Sequence, residues 1–244
     1  MANKDKKEMK TPAEVNRELR ERLRLDFILP KDIPELDLYM EQLTTYMDQH
    51  LKNNSRGEDE RTLTKTMINN YTKNGLLPPP EKKKYTPKQL VLLVYIYYLK
   101  NVISITDIRR LLGPLQESKP YSDEEQLRLY RQIFEMEKQQ FFNIEDSVER
   151  AYEITRKKLS DPEDKYLSRM SLICLLGYDI FSKKKIIEQL IDEMAEEEAA
   201  KKEKEEEEKK KMAEREKEES RQRRRPAKTA PLKPKNMEKH VKEN

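Results

Sequence analysis

The residues best suited to chemistry form a short polar cluster around position 70. Hydroxyl, amide and ammonium side chains occur together at Thr64, Lys65, Thr66, Asn69, Asn70 and Lys73. Such side chains reach base edges in the major groove of DNA, and an asparagine amide can pair bidentately with adenine. The cluster therefore predicts the base-contacting face of a DNA recognition helix. The alternative interpretation is an ordinary solvated turn.

A second cluster supplies positive charge and an aromatic ring shortly afterwards, at Lys82, Lys83, Lys84 and Tyr85. Between residues 62 and 88 there are six lysines and one glutamate, so the segment carries +5 while the whole chain carries +4. A concentration of lysine favours contact with the phosphate backbone. We therefore predict a basic wing, with an ordinary lysine-rich loop as the alternative. Arg109 and Arg110 either add phosphate contacts or lie on an exposed helix face.

Catalytic and metal-binding signatures are not found in the sequence. The two histidines are His50, at a predicted helix end, and His240, in the polar tail. Neither has the neighbours of a triad or a metal site. Cys174, the single cysteine, stands among Leu and Ile residues, so we expect it to be a buried thiol in a reducing cytoplasm. The expectations are no enzyme activity, no cofactor and no metal.

The elements that position the two clusters have clear start and stop signals. Thr62 and Thr64 are candidate N-caps for a helix that runs to about Lys73, and the pair Asn74-Gly75 ends it. Three prolines at 78–80 then hold the chain extended. A strongly apolar helix, LVLLVYIYYL at 90–99, starts at Thr86-Pro87 and is too short to span a membrane. Its tyrosines at 95, 97 and 98 are expected in the core, although a platform for stacking bases is the alternative.

The remaining helices are predicted from apolar spacing and caps. Residues 12–25 form a weakly amphipathic helix, and a second helix starts at Glu35 with Leu36, Tyr39, Met40, Leu43, Tyr46, Met47 and Leu51 on one stripe. A short helix from Ser104 or Thr106 ends at Gly113-Pro114, and a capping box at Ser122 and Glu125 opens the region 121–159. The apolar run 166–180 is expected to be buried, either in the core of the chain or in a dimer. A last amphipathic helix covers 181–194.

The chain changes character after residue 194. Residues 195–219 hold twelve glutamates and eight lysines or arginines, which predicts an exposed charged helix. Residues 220–244 hold nine lysines or arginines, two glutamates and three prolines, which predicts a disordered basic tail. A cationic tail of this kind adds non-specific affinity for DNA.

The order of these elements resembles the MerR family of DNA-binding proteins. In that family the recognition helix ends in Tyr-x-x-x-Gly-Leu-Leu, a wing follows, and a Ser-x-x-Glu/Asp-Ile helix closes the unit. The matching residues are Tyr71, Gly75, Leu76, Leu77, Pro78, Tyr85, Ser104, Asp107, Ile108 and Leu111. The chain departs from the family at Asn69-Asn70-Tyr71, where Arg-Tyr-Tyr is usual, and at Lys84, where the family's wing usually has Arg. Base reading is therefore expected to differ from that of the family.

Residues 25–180 also resemble a family from Clostridia and related bacteria that is catalogued as a domain of unknown function. The predicted fold is all-α, with a polar segment and short helix at 1–29, a MerR-like winged helix-turn-helix at 30–115, a helical region at 116–194, and the charged helix and tail at 195–244. The resemblance implies a cytoplasmic transcriptional regulator that binds double-stranded DNA, with a homodimer as one expectation and no membrane partner. The alternative is a helical adaptor that kept the winged fold and binds a protein, with the charged segment docking on another helix.

Overall fold

The computed structural model describes residues 17 and 21 and the ranges 25–55, 62–116, 121–161 and 164–223. These four ranges contain six α-helices: α1 Met40–Leu51, α2 Lys65–Lys73, α3 Pro87–Leu99, α4 Ile105–Gln116, α5 Asp123–Lys158 and α6 Lys165–Arg223. Two short strands, β1 Leu38–Tyr39 and β2 Lys84–Tyr85, and two 3₁₀ turns, Pro30–Asp32 and Lys52–Asn54, complete the list. The structure is thus mainly helical, as predicted. Most of the predicted helix at 12–25, His240 and the tail from 224 lie outside the described residues.

The chain divides into two compact units, one up to Ala195 and one from Glu196. The core of the first unit is built from α1 to α4 together with Ile28, Tyr130 and Ile191. Helix α3 contributes the largest share, because Leu90, Val91, Leu92, Leu93, Val94 and Ile96 are all buried. The predicted burial of this apolar run is confirmed, and the tyrosines at 95, 97 and 98 pack against the same core. No helix in the described part of the chain is long and apolar enough to cross a membrane.

Helix α1 starts at Met40, so the predicted start at Glu35 is wrong. Leu38 and Tyr39 instead pair antiparallel with Tyr85 and Lys84 to form a two-stranded ribbon. The backbone amide of Tyr39 then donates 2.9 Å to the Gln42 side chain, which opens the helix. As a result Leu36 and Tyr39 are exposed, while the rest of the predicted stripe turns toward the core.

Three tyrosine hydroxyls bind the segment 26–32, which ends in the 3₁₀ turn Pro30–Asp32, to the core. Tyr98 donates to the carbonyl oxygen of Asp26 at 3.1 Å, Tyr130 to that of Ile28 at 2.6 Å, and Tyr46 to that of Asp32 at 2.6 Å. Because each donor comes from a different helix, the segment joins α1, α3 and α5. These bonds satisfy backbone carbonyls that would otherwise lose water on burial.

Helix α4 extends past the predicted end at Gly113-Pro114 and ends at Gln116, so that Pro114 lies inside its last turn. A proline there removes one N–H donor, yet the turn is tied down from outside. The Gln116 amide donates to the carbonyl oxygens of Gly75 and Leu76 at 3.2 and 3.1 Å. Helix α4 therefore closes directly on the end of α2.

Helix α5 begins with the predicted capping box, since Ser122 accepts from the Glu125 amide and the Glu125 carboxylate accepts from the Ser122 amide. Helix α6 differs from expectation in two ways. It continues through residues 180 and 194 without a break, because no proline occurs between Pro162 and Pro226. Its apolar run is also largely exposed, so the predicted burial of 166–180 within this chain, including that of Cys174, is wrong. Only Ile187 and Ile191 of this helix join the main core.

The second unit contains the charged helical segment, and its predicted helical conformation is confirmed. Side chains are exposed throughout 199–217. Lys202 lies 2.6 Å from Glu198, and Lys211 lies 3.6 Å from Glu207, each with glutamate four residues before lysine. This orientation is the more favourable one for stabilising an isolated helix.

Candidate nucleic-acid interface

Helix α2 is amphipathic, with one buried face and one exposed polar face. Thr64 caps it, with its hydroxyl accepting from the Met67 amide at 3.2 Å. Ile68 and Tyr71 are buried and fix the helix on the core, and burial raises the pKa of the Tyr71 hydroxyl. The exposed face holds five of the six predicted base-contacting residues: Lys65, Thr66, Asn69, Asn70 and Lys73. Their three- and four-residue spacing places them along one side of the helix.

A hydrogen-bonded turn with glycine in the left-handed conformation ends α2. Gly75 has φ +68°, a left-handed conformation that suits glycine, and the Leu76 amide donates to the Tyr71 carbonyl oxygen at 2.9 Å. This is the Schellman arrangement that the Asn74-Gly75 pair predicted. The Cδ atom of Arg109 lies 3.9 Å from the position that a Cβ on Gly75 would occupy. An exposed arginine of α4 therefore stands at the carboxyl end of α2.

The predicted wing is a tight hairpin turn. The Lys84 amide donates to the Glu81 carbonyl oxygen at 2.8 Å, and Lys82 and Lys83 between them have φ +49° and +66°. Two consecutive left-handed residues are the signature of a type I′ turn, which normally selects Asn-Gly. Lysine at both positions costs backbone energy. The turn presents both ammonium groups to solvent.

The prolines and the predicted phosphate-contacting tyrosine support this turn from inside. The Gln89 amide donates to the carbonyl oxygens of Pro78 and Pro79 at 2.9 and 3.1 Å. Tyr85 is only 3% exposed, and burial raises the pKa of its hydroxyl. Its ring anchors the predicted wing on the core. The side chain is therefore not exposed for the predicted contact with phosphate.

The predicted wing and the predicted recognition helix, α2, both contact the start of α1. Lys84 of the wing lies over the ring of Tyr39, with its ammonium nitrogen 5.1 Å from the ring centroid. Lys65, the first residue of α2, forms an ion pair with Glu41. The Lys65 ammonium donates to this carboxylate and holds the pKa of Glu41 below its ordinary value. Two residues apart, Tyr39 and Glu41 thus connect the two predicted DNA-contacting elements.

The cations around this surface fall into two groups. Lys65 and Lys84 make the contacts above, Lys88 pairs with Asp123 at 3.2 Å, and Arg110 pairs with Asp192 at 3.4 Å. Within the described part of the chain, neither an ion pair nor a contact with an aromatic ring is found for Lys73, Lys82, Lys83 or Arg109. The latter group is therefore available to a phosphate without first breaking a salt bridge. Sequence reasoning left Arg109 and Arg110 equivalent, since only tertiary contacts distinguish them.

The described residues contain no cluster of three or more histidine, cysteine or acidic side chains able to hold a metal ion. His50 stacks on Tyr46 with ring centroids 4.1 Å apart, and its Nδ1 atom lies 2.9 Å from the Tyr46 carbonyl oxygen. It therefore belongs to the end of helix α1.

Neither a curated protein nor a solved structure matches the chain. A family model does match part of the chain, which begins within the segment 26–32 bound by the three tyrosines, contains both strands and α1 to α4, and ends in the first third of α5. Residues 28–134 are similar to a protein family described as a domain of unknown function (DUF1836).

Proposed function

We propose that this protein binds double-stranded DNA through a MerR-like winged helix-turn-helix and regulates transcription. Helix α2 would enter the major groove with α1 behind it, and the Lys82-Lys83 turn would rest on the flanking phosphates. The observation that carries the proposal is the shared location of three features: an exposed polar helix face, an exposed lysine turn, and an arginine at the end of the same helix.

Base reading is assigned to Asn69 and Asn70. Both side chains are exposed on the outer face of α2, while Tyr71 beside them is buried. An asparagine amide offers one donor and one acceptor, which matches the major-groove edge of adenine. Thr66 lies on the same face and suits contact with a thymine methyl group or a base edge. Thr64 caps the helix and orients it.

Phosphate contacts are assigned to Lys73, Lys82, Lys83 and Arg109, the surface cations that form neither an ion pair nor a contact with an aromatic ring within the described part of the chain. Lys65 contributes less, because its pairing with Glu41 competes with a phosphate. Each phosphate neutralised by the protein changes the slope of log affinity against log salt by about 0.9. Four contacts in each domain therefore predict a steep salt dependence.

The test is selection of duplexes from a random pool by the full-length chain, followed by anisotropy titration across salt. Asn69→Ala and Asn70→Ala should each weaken the selected sequence by about 1–3 kcal/mol and affect random duplexes little. Asn143→Ala, at an exposed asparagine on α5, is the matched control. No enriched sequence, or equal losses on selected and random DNA, would reject specific reading by this helix.

A second candidate is a helical adaptor that retains the winged fold and binds a protein without reading DNA. The extensive exposed apolar surface on α6 favours it. An adaptor would bind DNA weakly and with no sequence preference, so the same titration distinguishes the two candidates.

A further inference from the structure

The amino-terminal part of α6 exposes an apolar surface that nothing in the described chain covers. Between residues 166 and 181, Tyr166, Ile173, Tyr178, Ile180 and Phe181 are each more than half exposed, at 74, 65, 73, 63 and 57%. Leu167 and Met170 are exposed as well, at 41 and 49%. Together with the exposed Cys174 and with Gly177, these residues are called the α6 face below.

The α6 face is larger than the apolar patch that a monomeric protein normally exposes to water. Its exposed fractions correspond to an area on the order of 800 Å², whereas the largest apolar patch on a typical monomer is about 300–600 Å². A stable interface of standard size buries about 800 Å² on each partner. One additional helix of similar character would therefore be a sufficient partner.

The spacing of the α6 face is that of a helix-packing seam. Tyr166, Met170, Ile173, Gly177 and Ile180 follow each other at intervals of four, three, four and three residues. A second row with the complementary intervals is formed by Leu167, Met170, Cys174, Gly177 and Phe181. Apolar residues that alternate in this way pack against another helix by inserting side chains between its ridges.

Gly177 supports close approach of that helix. A glycine inside a helix costs about 1 kcal/mol relative to alanine. A Cβ atom added to Gly177 would meet no atom within 4 Å, so packing inside the described chain gives no reason for glycine at this position. An incoming helix would use that space.

We propose that the α6 face pairs with the same face of a second copy of this chain across a two-fold axis. The two rows contain no charged residue, so self-pairing places no like charges opposite one another. In a two-fold interface the same patch serves both partners, and the midpoint of this one falls between Ile173 and Cys174. The axis therefore passes near Cys174, and the two thiols lie close together in either helix direction.

Sedimentation of the full-length chain without DNA tests this pairing. The wild type should be a dimer at micromolar concentration. Ile173→Lys should raise the dimer dissociation constant by about 100-fold or more, since it buries two charges at the centre of the interface. Met136→Lys, on a side chain exposed to 62% against 65% for Ile173, should leave the dimer intact. Far-ultraviolet circular dichroism checks that both variants remain folded.

Cross-linking of Cys174 adds a geometric test, because it is the only cysteine in the chain. A short bismaleimide should give a covalent dimer in the wild type and in Met136→Lys, and should give none in Ile173→Lys or Cys174→Ser. A monomeric wild type, or a dimer unaffected by Ile173→Lys, would overturn the proposal. Wild-type monomer that binds anionic phospholipid vesicles would assign the α6 face to a membrane surface instead. None of these measurements involves DNA, so their outcome is independent of the proposed function.

Discussion

The hydroxyl of Tyr130 donates a buried 2.6 Å hydrogen bond to the carbonyl oxygen of Ile28. Tyr130→Phe should therefore lower the free energy of unfolding by about 1–3 kcal/mol, because the carbonyl loses its partner and stays away from water. Urea denaturation measures this change. An unchanged midpoint would mean that water replaces the hydroxyl at Ile28.

Tyr95 provides the matched comparison, since its ring packs edge to face with that of Tyr130 at 5.9 Å. Its hydroxyl oxygen is buried and has no hydrogen-bond partner in the described part of the chain, and burial raises its pKa to about 12. Tyr95→Phe should raise the free energy of unfolding by up to about 1 kcal/mol, because it removes a desolvated polar group. A loss equal to that of Tyr130→Phe would contradict this reading.

Substitutions in the lysine turn should change the stability of the fold and the proposed DNA binding in opposite directions. Replacing Lys82 and Lys83 by Asn and Gly should stabilise the fold by about 1 kcal/mol, because Asn-Gly suits a type I′ turn. The same change should weaken binding to every duplex and reduce the salt slope by about 2. Unfolding curves and anisotropy titrations on one sample measure both quantities.

The control for the turn is the pair Lys82→Arg and Lys83→Arg, which keeps the charge and the backbone conformation. It should change neither stability nor salt slope appreciably. If the Asn-Gly variant bound DNA as well as the wild type, the turn would have no contact with phosphate.

Glu41 should restrain DNA binding. Glu41→Gln releases Lys65 and removes a negative charge, so affinity should rise roughly two- to five-fold at neutral pH. Glu153→Gln, which releases Lys157 on α5, should have no such effect. Anisotropy at constant salt makes the comparison.

The same pair has a defined pH dependence. The Glu41 pKa lies below its ordinary value of 4.5 because the Lys65 ammonium donates to the carboxylate. Any stability the pair supplies is therefore present above that value and is lost as the pH falls through the lowered pKa. The affinity difference between wild type and Glu41→Gln should disappear over the same acidic range, and a difference that persisted there would exclude Glu41 charge as its cause.

The charged helix of the second unit should fold alone. A peptide of residues 196–223 should be substantially helical at low salt and lose helicity as salt screens its lysine–glutamate pairs. Replacing Lys202 and Lys211 by Gln should reduce helicity at low salt and remove part of the salt response. Circular dichroism measures both effects, and a coil at low salt would show that the helix needs further contacts.

Local signals predicted much of this fold. Thr64, Thr86 and Ser122 each open a helix as the sequence indicated, and Gly75 ends α2. Such motifs depend on interactions between residues a few positions apart, so they can be recognised from the local sequence. The polar face of α2 was predictable for the same reason, since it depends only on helical spacing.

What could not be predicted depends on distant partners. The strand Leu38–Tyr39 exists because Lys84 and Tyr85 pair with it. Hydrophobic spacing alone had predicted a helix at these two residues. Tyr85 was assigned to the wing surface because its position in sequence does not reveal which way its ring points. The apolar run of α6 was expected to be buried because of its hydrophobicity. Hydrophobicity does not show which residues, in this chain or in another, would pack against it.

The bond between Tyr130 and Ile28 joins residues 102 positions apart. At a synthesis rate of about 5–20 residues per second, the acceptor waits roughly 5–20 seconds on the ribosome before its donor exists. During the last part of that interval, once residue 99 has been made, the α3 residues that α5 helps to cover exist and lack part of their cover. The nascent chain therefore presents its most apolar helix before the residues that cover it have been made, and we expect chaperones to bind the chain at that stage of translation.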